Sequence, residues 1–330
     1  MSVWSPKCNL HCKDSWVSPH ENYTANPPLL VNTPYRLASA TKPFTALAVL
    51  KLVEDGLVEV NGSALNYLPN WAVTTLEKQQ GAENASQITP WMLMHHTAGL
   101  TNHADDVRYL SMFLEDPNAH LTHRELLEWA AEHSGARDVP GGSFWYSDTG
   151  FAYLGAIIEH VTGESMAAIV RRAAHLDELC MRSTYWEVFE DPPKGTPARA
   201  GQYYGTVDTT NVDASHGLYG GAGLVSHSED MIKFARAFHR GLLLKEETME
   251  LAYTTVPMDD VVSYGCGWMT QLVAGREAWY HRGAWGTWMY YLPELDLAVA
   301  GALNQAAQIR LMPQILEDVV QHVQDWGCVA

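Results

Sequence analysis

The sequence predicts an α+β fold: a terminal antiparallel sheet flanked by helices, with a mostly helical insertion. Three observations predict it. Short aromatic or β-branched segments crowd the last third, at 264–272, 277–281, 286–292 and 297–303, parted by Gly, Pro or Asp. An apolar run from Pro43 to Val53 has the length of a helix and is apolar on nearly every face, as a helix between two layers must be. Residues 60 to about 215 are loop-rich and mostly helical in pattern. Two interleaved units follow from this: a sheet unit over 1–60 and 217–330, and a helical unit over 61–216, with a cleft between them.

The elements can be justified in order. The first 30 residues show no clear period. A helix then covers about 40–55, with Ser39 as its N-cap, Pro43 in its first turn where a missing N–H costs little, and Gly56 as its stop. Thr89 starts another helix, with Pro90 at the first position. The stretch 121–133 is amphipathic, capped by Thr122 with Glu125 three residues on. Residues 150–162 are apolar and end at Gly163. A helix over 228–238 opens with Ser-Glu-Asp and stops before Gly241. A last helix spans 308–323. There is no internal repeat and no low-complexity linker.

Composition bounds the function. The chain has 330 residues, 47% hydrophobic and 18% charged, which is the balance of an ordered globular protein. A net charge of −17 argues against a nucleic-acid partner or an anionic membrane. The first twenty residues hold Lys7, His11, Lys13 and Asp14 and no apolar core, and no segment approaches a membrane span, so a cytoplasmic protein is expected. Five cysteines, irregularly spaced, suggest no disulfide framework. Cys8 and Cys12, with His11 and His20 nearby, read as free thiols on an irregular segment rather than a zinc site, whose ligand spacing is specific. No metal and no cofactor is implied. Asn22-Tyr23-Thr24, Asn61-Gly62-Ser63 and Asn84-Ala85-Ser86 match glycosylation acceptors, a triplet frequent by chance.

Ser39-Ala40-Thr41-Lys42 is the one S-x-x-K, and it opens the apolar helix. Its hydroxyl and amine fall almost one turn apart on one face, where backbone N–H groups converge. A serine becomes a nucleophile when a base lies within hydrogen-bond reach, and a lysine is such a base when burial and the positive helix end lower its pKa. Three further segments stand out: Pro140 to Asp148, Gly220-Gly221-Ala222-Gly223-Leu224, and His281-Arg282-Gly283-Ala284. The set resembles the serine β-lactamase and penicillin-binding family, nearest the branch of class C β-lactamases, D,D-peptidases and esterases. There the motifs are S-x-x-K, Y-x-N, and K-T-G or H-x-G. The resemblance spans about 31–304 in the right order. It includes His95-His96-Thr97-Ala98-Gly99-Leu100, Leu154-Gly155 and Tyr264-Gly265-Cys266-Gly267-Trp268. It implies a β-lactamase/transpeptidase-like fold. His133-Ser134-Gly135 also spells H-x-G but precedes Tyr146, and Ser147-Asp148-Thr149 is S-D-N-like in a shifted register. No G-x-S-x-G occurs.

The resemblance implies a role for each residue. Ser39 attacks a carbonyl and becomes an acyl-enzyme. Lys42 takes or relays its proton. Tyr146 acts as general base and acid, ionised by the Lys42 charge. The backbone N–H groups of Ser39 and Ala284 form the oxyanion hole. Asp148, His281, Gly283, Trp285 and Trp288 contact substrate, with His281 bonded to Tyr146 or to the substrate. Each residue also has a structural use. Ser39 serves as a helix cap, Tyr146 as a core phenol, His281 as a strand residue bridging backbone groups, and the glycine cluster as a tight turn allowing close backbone approach.

Three departures matter. Asp148 stands where the family has asparagine; an ionised carboxylate cannot donate, and it favours the charged form of Lys42. His281 stands for the K-T-G lysine and supplies less positive charge at neutral pH. With the aromatic residues Trp145, Trp268, Trp285, Trp288, Tyr203 and Tyr204, this favours a neutral, rather hydrophobic ester, lactone or thioester. The N-terminal segment lacks a visible strand hairpin, so the sheet is expected to miss an edge strand or to have it covered by a different segment; an uncovered edge favours a homodimer. The resulting expectation is a serine acyl hydrolase, carboxylesterase-like, or an acyltransferase acting on a small-molecule acyl substrate. A β-lactamase or D,D-peptidase, a non-hydrolytic enzyme using Tyr146 as base, and a non-catalytic scaffold are the alternatives.

Overall fold

Strands from the two ends of the chain meet in one sheet, and the helices pack on its two faces. The computed structural model describes residues 1–15 and 30–325. His20, the Asn22-Tyr23-Thr24 triplet and Cys328 lie outside them. The chain starts with β1 (Ser2–Ser5), β2 (Leu10–Lys13) and β3 (Tyr35–Arg36), then a 3-10 turn at Ala38–Thr41 and α1 (Lys42–Glu54). A helical stretch follows: α2 (Asn70–Gln80), α3 (Ala82–Gln87), α4 (Pro90–Met94), α5 (Val107–Glu115), α6 (His123–His133), α7 (Asp148–Thr162) and α8 (Met166–Ala173). Next come short strands β4 (Tyr185–Trp186), β5 (Tyr203–Tyr204), β6 (Val207–Asp208) and β7 (Leu224–Ser226), then α9 (Ser228–His239) and α10 (Glu246–Ala252). The chain closes with β8 (Val256–Pro257), β9 (Ser263–Tyr264), β10 (Met269–Val273), β11 (Arg276–Gly283), β12 (Thr287–Leu292), β13 (Leu297–Ala302) and α11 (Met312–Asp325).

The main sheet has eight strands in the order β2-β1-β13-β12-β11-β10-β9-β8, antiparallel throughout. Cross-strand pairs His281–Met289 and Arg282–Trp288 fix which side chains share a face. Trp279, Met289, Tyr291, Ala298 and Ala300 join the core beneath α1 and α9. Tyr280, Trp288, Tyr290 and Val299 face the other way and pack with Met312, Leu316, Val320 and Val323 of α11. Helix α1 is buried on all sides. Phe44 stacks on Phe234 of α9, and α7 and α8 cover its far side.

Several sequence expectations need correction. The N-terminal hairpin is present: β1 pairs with β13 and β2 with β1, so the missing edge strand that favoured a homodimer is supplied by the chain itself. Its outer strand, β2, is short and polar, which blunts edge pairing. Cys8 is disulfide-bonded rather than a free thiol. The strand expected over 264–272 is split into β9 and β10. Gly267, at φ +75°, tucks the loop against α1, where a Cβ would come within 2.8 Å of Lys42 O. Helix α7 starts at Asp148, because Ser147 caps it by accepting from the Gly150 N–H. The expected helical unit also supplies β4, which pairs with β7 beside β3.

Two histidines inside this fold predict a pH dependence. Burial holds His103 at about 4 and His281 at about 3. Both stay neutral in the native protein where the unfolded chain, with histidines near 6.5, takes up protons. Stability therefore rises with pH across that interval and falls as pH drops below about 6.5, by up to about 1.4 kcal/mol per pH unit for each histidine. Urea titrations at pH 7.5 and pH 5 should show a lower midpoint at pH 5, and His103→Gln should reduce the difference.

Candidate active site

Ser39 does not cap α1. It lies in the 3-10 turn that runs into α1 at Lys42, and no side chain caps that helix. The turn is pinned from both sides. The Leu37 N–H donates to Leu224 O at 2.9 Å. The Leu224 N–H reaches Thr41 Oγ1 at 3.3 Å, and Thr287 Oγ1 donates to Leu37 O at 2.7 Å. Ala38, just before the serine, is held at φ +47°, a conformation costly for a residue with a Cβ.

Lys42 is fully buried. Its Nζ donates to Ser39 Oγ at 3.1 Å, to Gly221 O at 2.9 Å and to Asp148 Oδ1. Three N–H groups thus meet three acceptors, one three residues away and two from distant segments. The glycine cluster makes this possible. Gly220, at φ +115°, leaves no room for a Cβ against Phe151 O, 2.3 Å away, and a Cβ on Gly221 would sit 3.0 Å from Asp148 Oδ1. Burial lowers the pKa of Lys42, and the Asp148 charge opposes that. Burial pushes the Asp148 carboxyl up, but the Lys42 charge holds it below its ordinary value. Asn102 fixes Asp148 further, its Oδ1 accepting from the Asp148 N–H at 3.0 Å.

Tyr146 comes to the same place from the loop before α7. Lys42 Nζ lies 4.9 Å from the centroid of its ring. Burial first, then the Asp148 charge, push this phenol well above its ordinary pKa, with the Ser39 side chain pulling the other way. The expected ionisation of Tyr146 by Lys42 is therefore corrected: the ammonium faces the ring and is already paired with Asp148, so the phenol is neutral. His96, which sequence reasoning passed over, holds this loop. Its carbonyl accepts from the Trp145 N–H at 2.8 Å and its Nδ1 from the Ser147 N–H at 3.1 Å, one on each side of Tyr146. The two rings lie 4.4 Å apart. The run His95-His96-Thr97-Ala98-Gly99-Leu100 was the available signal, but nothing local ties it to residue 146.

His281 is fully buried on β11. Nδ1 faces Arg282 O at 2.9 Å, so it carries the proton, and Nε2 accepts from Tyr264 O–H at 3.0 Å. Its partner is thus Tyr264 and not Tyr146. Burial, then the Lys42 charge, hold it neutral. Gly283 serves close approach: a Cβ there would lie 2.1 Å from Leu37 O. That contact sets the end of β11, and Ala284 after it, against the turn carrying Ser39. Trp285 is edge-on to His216 at 6.1 Å and lines a cavity with Ala38 and Gly223. Trp288 is on the opposite face of the sheet, under α11, and cannot contact substrate here. Among the described residues, no cluster of His, Cys, Asp and Glu is placed to hold a metal ion. No helix among them is long and apolar enough to cross a membrane.

Comparison with known proteins places this site in a family. Residues 15–321 match the model of the Beta-lactamase family. The chain is 24% identical over 269 residues to penicillin-binding protein 4* of Bacillus subtilis, covering 75% of this chain and 54% of that one. It is 25% identical to lovastatin esterase of Penicillium rubens, covering 65% and 57% respectively. The chain spans about half the length of the curated relatives it matches. The crystal structure of a D-stereospecific amidohydrolase from Streptomyces sp. superposes with a TM-score of 0.74, at 25% identity and 84% coverage of both chains.

Two substitutions probe the geometry. Asp148→Asn removes the charge that opposes burial at Lys42, so the lysine loses its proton at lower pH. For the Ser39 acylation proposed below, the alkaline rise of rate with pH should move toward acid by about one unit or more, read from a pH–kcat/KM profile; an unmoved profile contradicts the pairing. Gly283→Ala forces apart backbone that now touches, at a cost of about 1–3 kcal/mol or more. A lowered Tm with slower Ser39 acylation is expected from a thermal melt and a labelling time course.

Proposed function

The chain belongs to the Beta-lactamase family, and we propose that it is a serine acyl hydrolase or acyltransferase working through an acyl-enzyme on Ser39. One observation carries the reading. Asp148 and Gly221, 106 and 179 residues along from Lys42, meet Ser39 at the one buried Lys42 nitrogen, with the Tyr146 ring 4.9 Å from it. The division into a sheet unit, 1–60 and 217–330, and a helical unit, 61–216, belongs to the same proposal, with the cleft between them as the place of reaction.

The chemistry follows from the hydrogen bonds. In its neutral form, which burial favours, Lys42 takes the Ser39 proton as Oγ bonds to the substrate carbonyl carbon. The ammonium that results is received by Asp148 and Gly221 O, so the proton moves toward a prepared site. The oxyanion meets the N–H groups of Ser39 and Ala284. Tyr146, neutral and with its ring 4.9 Å from Lys42 Nζ, donates its proton to the leaving oxygen as the tetrahedral intermediate collapses, and Lys42 restores it. Water or another nucleophile then releases the acyl group. The same acyl-enzyme serves hydrolysis and transfer.

The substrate favoured is a small, rather hydrophobic ester, lactone or thioester. Support comes from neutral His281, which provides no cation where a K-T-G lysine would stand, and from the ester-cleaving relative. Ser39→Ala tests the reading. A fluorophosphonate should add once, on Ser39, by mass spectrometry, and Ser39→Ala should take no adduct and lose at least about a thousandfold in p-nitrophenyl ester turnover. An unlabelled native protein supports a scaffold instead. Activity kept by Ser39→Ala but lost in Tyr146→Phe supports non-hydrolytic chemistry.

A further inference from the structure

The acyl chemistry uses one oxygen of Asp148 and leaves the other. Oδ1 accepts from Lys42 Nζ, and Oδ2 takes no hydrogen bond from the described residues. Water reaches this second oxygen: the Asp148 side chain is 20% exposed, against 0% for Lys42. Ser39 and Tyr146 are half-buried as well, so the sealed amine has three accessible polar groups around it. The carboxylate is near the nucleophile by direct contact, because the Lys42 nitrogen that bonds it also bonds Ser39 Oγ at 3.1 Å. An ionised carboxylate oxygen only accepts, so its partner has to be a donor.

The surrounding charge favours a cationic donor. Asn102 ties a second carboxylate to the first: its Oδ1 accepts from the Asp148 N–H at 3.0 Å, and its Nδ2 donates to Asp105 Oδ1 at 2.9 Å. Asp105 is exposed, and its charge and that of Asp148 act on each other. Among the described residues Lys42 is the only cation paired with either carboxylate. His96, His103 and His281 add no charge at neutral pH, since burial holds each below its ordinary pKa. One positive charge thus stands against two negative ones, and the oxygen left over is accessible.

We infer that Asp148 Oδ2 is the specificity-determining contact of this site and receives an ammonium on the acyl group, one or two carbons from the ester carbonyl, with Asp105 adding to the attraction. The inference rests on the Ser39 acyl chemistry and deepens it: the substrate class becomes the esters of small amino acids with a free amine. It revises the neutral substrate favoured above at that one group. Binding also helps the base. A cation against the open oxygen offsets the charge that holds the proton on Lys42, so the bound enzyme more readily reaches the amine form that takes the Ser39 proton. An asparagine at 148 carries no charge and offers neither effect.

The test pairs isosteres in which an ammonium replaces a methyl group. The p-nitrophenyl esters of alanine (each enantiomer) and β-alanine are set against isobutyrate and butyrate at about pH 6.5, where the amines are protonated. Each kcat/KM is divided by the hydroxide rate constant of its ester, which removes the intrinsic activation by the ammonium. The better amino ester should exceed its isostere by about tenfold, as one charge-assisted contact provides. Asp148→Asn should bring the ratio to about one. Asp105→Asn keeps the contact and removes the second charge, so the ratio should fall by about twofold or more. A general loss of folding lowers both rates and cancels from the ratio. Asp148→Asn decides where it is active, and Asp105→Asn decides where it is not. A wild-type ratio of one or less, or a ratio that the deciding substitution leaves unmoved, overturns the inference. If no ester reacts, calorimetry with alaninamide against isobutyramide decides instead, and a missing fluorophosphonate adduct on Ser39 marks the separate failure of the acyl-enzyme reading. Binding of alaninamide but not isobutyramide, weakened in Asp148→Asn, supports the contact, and equal or absent binding overturns it.

Discussion

Lys42 has three N–H groups on a nitrogen that water does not reach, and each meets an oxygen from a different part of the chain. An ammonium buried without partners costs several kcal/mol, so the surrounding backbone is arranged to provide them. The consequences spread outward. Gly220 and Gly221 bring a carbonyl where a side chain would clash with α7. Ser147 starts α7 at the point that directs Asp148 inward. Helix α1 is encased on every face, because a charge at its first residue is buried only if its surroundings are.

In the proposed mechanism this pairing governs the chemistry as well as the fold. Asparagine in the place of Asp148 would leave the lysine to lose its proton under burial alone. Aspartate splits that tendency: burial favours the amine that takes a proton, and the carboxylate favours the ammonium that has received one. In the proposed mechanism Tyr146 is correspondingly a donor rather than a second base. His281 and Tyr264 form a neutral hydrogen-bonded pair at the site.

Much of this was legible along the chain, where the reason was local. Helix boundaries at Thr89, Thr122 and Gly163 follow from capping and from the left-handed turn glycine tolerates. The strands of β11 to β13 are marked by β-branched and aromatic runs between turn residues. The motif spacing identified Ser39, Lys42, Tyr146 and Asp148, which do meet. What escaped is non-local. The strands β1 and β2 are four residues each, too short to show a period, and exist because β13 is there to pair with. Trp288 follows the third motif in sequence, but the register of the β11–β12 hairpin turns it to α11. Arg36 reads as one more charged residue until Glu187, 151 positions on, buries it.

The direct measurement is of Lys42 itself, by nitrogen-15 NMR of the lysine side chains. If a buried, fully bonded Lys42 organises the site, its ammonium resonance exchanges slowly with water and titrates at lower pH than the surface lysines. A Lys42 resonance in rapid exchange, titrating together with the exposed lysines, contradicts that arrangement.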